Sequence, residues 1–218
     1  VAFGLAYSVS DKLLLPFAGL INEKLVFISP TEAFFVNLKI SFFTALSASV
    51  PVILYQAWAF VAPGLLSGEK KQGLRLIVSS TLFFIIGASF CFFIVLPLGL
   101  KFLIGYGGDL LTPMLSIGAF IGFCIKLMFV FGLVFQLPLI VIFLHSLDLV
   151  TIEQLKNFRG YLIVSSFVIS AVITPPDIFT QVLLALPLMI LYETSLIFIR
   201  VFRKKEKKKD EETTDSGE

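Results

Sequence analysis

The chain has 218 residues, 57% of them hydrophobic and 25 of them Phe, with a net charge of +2. Only 15% are charged, against about 25% in an ordinary soluble domain. This excludes a water-soluble domain and describes an integral helical membrane protein; the lack of long alternating-polarity stretches argues against a β-barrel.

The opening VAFGLAYSVS is apolar but too short to cross a bilayer, and it lacks the basic start and cleavage site of a signal peptide. It reads as the end of a first transmembrane helix that begins upstream, with a short interfacial anchor as the alternative. Residues 11–28 read as a polar-interrupted loop holding one or two short amphipathic helices. Ser29, Pro30 and Glu32 then form a cap-like signal. The first full span follows over 33–55, roughly 34 Å of helix at ~1.5 Å per residue. It ends in an aromatic belt of Tyr55, Trp58 and Phe60, then Pro63, Gly64 and the cluster Glu69-Lys70-Lys71. Aromatic rings favour the headgroup level, and Lys favours the cytoplasmic side.

A second span is predicted over 76–97. The breaker cluster GYGGDLLTP separates it from a third over 119–144. Thr151 to Gln154 starts a short helix. The last two spans, 161–173 and 178–199, flank a tight TPPD turn. The former gives only about 20 Å of helix, and the latter is continuously apolar only over 182–192. Both are therefore short for a hydrocarbon core of about 30 Å. Residues 1–199 thus form one transmembrane domain, with a partial span at 1–10 and five full ones. Residues 200–218 read as a charged tail without regular structure. Pro51, Pro97, Pro138 and Pro187 bend the helices they enter, which suits a cupped bundle.

Twelve Lys and Arg fall in the loop after the first full span, in 145–160 and in the tail, against Lys12, Lys24 and Lys101 on the opposite side. That asymmetry predicts a cytoplasmic C-terminus. Cys91 and Cys124 sit in apolar runs and read as small hydrophobes. With one histidine, His145, no metal site is expected.

A few polar residues stand out against this background. Glu69 reads as a solvated charge beside Lys70 and Lys71, and Trp58 and Phe60 as interfacial anchors. Gln136 is a mid-span amide suited to hydrogen bonding across helices. Lys126 lies ten residues earlier, about 15 Å along the axis; it is either a functional intramembrane cation or a side chain snorkelling outward. Asp177 is placed to cap the last helix, and Glu193 reads as an interfacial charge paired with Lys or Arg.

The segments SPTEAFF, SVPVILYQAWAFVAPGL, FGLVFQLPL and FVISAVITPPDIFTQVLLALPLMILYE, in this order, resemble the TatC family of twin-arginine translocase proteins over nearly the whole chain. The resemblance implies six spans with both ends cytoplasmic. It implies a receptor and scaffold that binds twin-arginine signal peptides of folded cargo and docks single-span TatA/TatB-type subunits beside further copies of itself. Export is driven by the proton gradient, and the expected location is the inner membrane of a prokaryote. Glu69, with Phe60 and Trp58, would bind the signal peptide; Gln136, Lys126, Asp177 and Gln181 would belong to the groove where partner helices dock. Many relatives hold a Glu where Gln136 stands, and an amide cannot titrate. The family's acidic and basic N-terminal stretch has no match within these residues.

Two other classes compete. A small secondary transporter or channel needs a polar midplane pathway and usually an internal repeat; no repeat is visible, and Lys39, Lys126 and Gln136 make a sparse pathway. An intramembrane enzyme needs a GxSxG, an HExxH or a paired acid, none of which occurs. No GxxxxGK[ST] nucleotide loop is present either. Neither a cofactor nor a nucleic-acid partner is expected.

Overall fold

The computed structural model describes residues 2–8, 10–21, 25–26, 28–61, 73–105, 114–147, 149–174 and 177–215, without the side chains of 11, 60, 61, 73–75 and 202–215. The described residues are helical apart from turns and one isolated parallel bridge, Val26 to Ser116. Four stretches are long and apolar enough to cross a membrane: Glu32–Ala59, Leu76–Gly105, Ile117–Ser146 and Ile178–Val201. Arg159–Ile173 is a shorter apolar helix. Of the two C-terminal spans expected to be short, only this one is; the other carries 24 suitable residues, because Glu193 interrupts its apolar run without ending it.

The chain divides into two compact units, Val1–Val134 and Phe135–Glu218. The first contains α1 (Ala2–Ser8), α2 (Ser10–Ala18), α3 (Glu32–Val61), α4 (Gly73–Phe90), a π-helical turn (Cys91–Val95), α5 (Leu96–Gly105) and α6 (Ile117–Val134). Helices α3, α4 and α6 pack on one another, and α1 and α2 lie against α3. Val36, Ile40, Phe43 and Val50 form the buried face of α3, at the i, i+4, i+7 spacing that keeps side chains on one side of a helix. Lipid is as apolar as these residues, so close fit holds the helices together. Gly132 of α6 shows the fit, because a Cβ there would stand 2.5 Å from the Phe84 ring. The π turn precedes Pro97. Proline has no N–H and crowds the carbonyl four residues back; here the Leu96 N–H donates to the Cys91 carbonyl in a widened turn. Cys91 and Cys124 are both free thiols buried in this core.

The second unit contains α7 (Leu137–Ser146), α8 (Ile152–Asn157), α9 (Arg159–Ile173) and α10 (Ile178–Asp215). The third predicted span is not one continuous helix: a turn at 135–136 separates α6 from α7, with Pro138 in the first turn of α7. Val141, Leu155, Tyr192, Leu196 and Ile199 form the core of this unit. Ser166 and Ser170 of α9 and Thr174 at its C-cap are buried, each giving its hydroxyl proton to a carbonyl of α9 at 2.7 to 2.9 Å. Small side chains with satisfied hydroxyls let two helices approach closely in lipid, and α9 packs on α10. The backbone of α10 runs on through Asp215, where the charged tail was expected to lack regular structure. Lys, Arg and Glu are strong helix formers, and neither Gly nor Pro intervenes before Gly217.

Candidate functional site: helix ends and intramembrane polar residues

In a helix packed in lipid, polar groups cluster where helices end, because terminal N–H and C=O groups need partners. The first unit satisfies this need through Glu32. One carboxylate oxygen accepts from the backbone N–H of Ile28 at 2.7 Å and of Ser29 at 3.4 Å. The other accepts from Gly118 N–H at 2.8 Å and from the Ser116 hydroxyl. The expected capping signal at Ser29 and Glu32 is therefore half of the arrangement: the same side chain also receives the start of α6. Gly118 leaves room for it: a Cβ there would stand 2.6 Å from the carboxylate and would have to displace it. The parallel bridge holds the two chain segments in line, with Val26 N–H donating to Leu115 and Ile117 N–H to Val26. Only the capping half had a sequence signal; the partners of the other half lie 84 and 86 residues away.

Three polar features lie deeper in this unit. Lys39 and Lys126 are both exposed within apolar helices, and the Lys39 ammonium lies 3.6 Å from where a Cβ of Gly122 would stand. A cavity of about 290 Å³ lies between α3, α4, the π turn and α6, walled by Phe43, Phe84, Phe92, Phe93 and Met128. Ser47 lines it with a buried hydroxyl that has no hydrogen-bond partner among the described residues. Trp58, in the last turns of α3, is half-buried. Phe60 is helical in backbone with its side chain undescribed, and Glu69 lies outside the described residues.

In the second unit Gln136 is 9% exposed and sits in the turn that opens α7. Its carbonyl accepts from Ile140 N–H at 3.0 Å. Asp177 caps α10 as its position suggested: one oxygen accepts from Thr180 N–H at 2.7 Å and the other from the Thr180 hydroxyl. Gln181, one residue on, donates from Nε2 to the Phe167 carbonyl at 3.0 Å, tying α10 to α9. Pro175 and Pro176 of the TPPD turn lie outside the described residues. Asp177 and Gln181 are thus brought to the junction of the last two helices, while Lys126 belongs to the first unit.

The far end of the second unit carries contacts of its own. Arg159 and Glu193 pair at 2.7 Å, which supplies the cationic partner expected for Glu193. Tyr192 donates its hydroxyl to the Leu155 carbonyl at 2.6 Å. Thr151 and Gln154 exchange side-chain and backbone hydrogen bonds at 3.3 and 2.9 Å, a complete capping box.

No cluster of three or more metal-ligating side chains occurs among the described residues. The geometry offers capped helix ends, cations within apolar helices and exposed apolar surface. Known proteins share this build. Residues 1–187 match the family described as Sec-independent protein translocase protein (TatC). The chain is 40% identical to the Sec-independent protein translocase protein TatC of Desulforapulum autotrophicum, over 100% of this chain and 83% of that one. With the TatC of Aquifex aeolicus it shares 43% identity, over 95% of this chain and 87% of that one. A crystal structure of the twin-arginine translocase receptor TatC in DDM is 42% identical and superposes with a TM-score of 0.83 over 90% of each chain. A second TatC crystal structure gives 44% and 0.80 over 92% of this chain and 89% of that one. The chain therefore belongs to the TatC family, as a membrane-embedded component of the Sec-independent, twin-arginine protein translocase, and is a transport protein rather than an enzyme.

Proposed function

We propose that this protein is the translocase's receptor for twin-arginine signal peptides and the scaffold on which single-span TatA/TatB-type subunits dock. The observation that carries the reading is the 42% identity, over 90% of both chains, to a TatC whose crystal structure is described as that of a receptor. The proposed setting is a prokaryotic inner membrane with the C-terminus in the cytoplasm, supported by the asymmetry of Lys and Arg along the chain.

Glu69 reads the arginine pair. A carboxylate accepts a forked, charge-assisted pair of hydrogen bonds from a guanidinium, which an ammonium cannot offer. Lys70 and Lys71 compete only weakly, because a solvated ion pair contributes about 0–1 kcal/mol. Trp58 and Phe60 hold the peptide at headgroup level. Glu69→Gln keeps the shape and removes the charge. In membranes containing the full-length protein, it is expected to lower photocross-linking of an Arg-Arg signal peptide toward that of a Lys-Lys peptide. Undiminished cross-linking and undiminished discrimination would remove Glu69 from the role.

Partner docking rests on Gln136, Asp177 and Gln181 of the second unit. In lipid a polar side chain seeks another polar group, and such a contact contributes about 0.6–2 kcal/mol. Gln136→Leu is expected to weaken association of a single-span partner about three- to thirtyfold with the helix content unchanged. Disulfide cross-linking between the partner and a cysteine beside position 136 measures it, and equal yields would refute the assignment.

A further inference from the structure

We propose that the basic turns of α10 beyond its apolar stretch bind the headgroups of anionic phospholipids. This goes beyond the translocase reading and does not depend on it.

α10 is one helix from Ile178 to Asp215, so positions past the apolar stretch keep the register of those within it. Residues seven apart are close to two turns apart and share a face. Near the end of the stretch Ile197, Phe198 and Val201 are 55%, 46% and 59% exposed. A lysine stands seven residues after each of them: Lys204, Lys205 and Lys208. An acid stands seven residues after each lysine: Glu211, Glu212 and Asp215. Glu206, the one acid within 200–209, stands seven after Ile199, which is buried. The face that is open to acyl chains therefore turns basic, and then acidic, as the helix leaves the hydrocarbon.

Depth decides which of these charges the bilayer meets. Ile178–Val201 has 24 residues, about 36 Å of helix. Centred on a hydrocarbon core of about 30 Å, it puts Arg200 at the edge. Lys204 and Lys205 then stand about 7 and 8 Å out, at the level of the headgroups, and Lys208 about 13 Å out. Glu211, Glu212 and Asp215 stand about 17–23 Å out, more than a Debye length of about 8 Å beyond the headgroups. The basic turns act on the bilayer surface, and the acidic ones are screened from it.

The helix itself gives these lysines little compensation. Residues 200–209 hold seven Lys and Arg against one Glu. Neither Lys204 nor Lys205 has an acid three or four positions away in either direction, the spacing at which helical neighbours meet. Arg200, Lys204 and Lys208 instead repeat a positive charge every four residues, which is unfavourable until an anion joins them. A run of this kind directly after a membrane span suits anionic lipid. The geometry also selects lipid over a soluble polyanion. Asp210, Glu211, Glu212 and Asp215 lie on the side away from the membrane and repel a nucleic acid arriving from water, while headgroups approach from the other side.

Native mass spectrometry of the full chain from micelles containing equal phosphatidylglycerol and phosphatidylcholine tests this. The parent is expected to retain phosphatidylglycerol preferentially. Each of Lys204→Gln and Lys205→Gln should reduce that preference about fivefold, and the triple variant with Lys208→Gln about thirtyfold. The triple Arg variant keeps the charges and should keep the lipid. Inorganic phosphate, at the ionic strength of a chloride control, should not displace it, because free phosphate has no acyl chains to lie along Ile197 and Val201. Equal retention of the two lipids by the parent, an undiminished preference in the triple Gln variant, or loss of the lipid from the triple Arg variant would each overturn the proposal. So would displacement by inorganic phosphate, which would mark a free-anion site. Capture of an added RNA oligonucleotide that the triple Gln variant loses, with its lipid preference intact, would replace the lipid with a nucleic acid.

Discussion

Glu32 meets four donors with one carboxylate, two from the chain just before α3 and two from the start of α6. Hydrogen bonds to an ionised acceptor are the strong class, about twice a neutral pair. Glu32→Gln retains one acceptor oxygen and loses the charge. The oxygen that becomes an amide nitrogen then faces donors with a donor of its own. The expected outcome is a lower melting temperature in detergent, with Glu32→Ala lower still, measured by the loss of helical circular dichroism on heating. Gly118→Val is expected to destabilise in the same assay, because its side chain would occupy the carboxylate's position. A parent-like melting curve for Glu32→Ala would show that the contact contributes nothing to stability.

Helix ends are the decisive feature at the scale of elements. The six-residue α8 is too short to persist on propensity alone; its Thr151–Gln154 box and the packing of Leu155 under Tyr192 hold it. Thr151→Ala removes the N-cap acceptor and should cost about 1 kcal/mol. Hydrogen exchange should then speed at the amides of 152–157 while those of 188–196 in α10 stay protected. Uniform exchange across both segments would mean that α8 does not open by itself. The proline effects also belong to this scale: a π turn accommodates Pro97 within an otherwise continuous helix, whereas Pro138 follows a two-residue turn between α6 and α7.

Two loops and the tail together carry twelve Lys and Arg, and the opposite loops three; this asymmetry argues for a cytoplasmic C-terminus. A single thiol introduced by Ser216→Cys tests it, since Cys91 and Cys124 are buried and contribute little background. In right-side-out vesicles an impermeant maleimide should leave position 216 unlabelled until the membrane is opened. Labelling of intact vesicles would reverse the orientation.

Composition and local pattern sufficed for the class, the apolar helices, the cap at Asp177 and the helix start at Thr151, because each is carried by residues close together in the chain. The family was legible for a related reason: its motifs are continuous stretches such as SVPVILYQAWAF. The turn at 135–136 was not legible, since Pro138 in a long apolar run is compatible with a bend, a turn or a stop. The helical continuation of the last span beyond 199 was also missed, because a charged tail of strong helix formers reads equally well as solvated coil. The tertiary structure alone decided that Glu32 serves two helix ends, that Gly118 and Gly132 are contact glycines, and that Lys39 lies on Gly122. Each of these contacts joins residues remote in sequence, and no local pattern encodes which distant surface a side chain will meet.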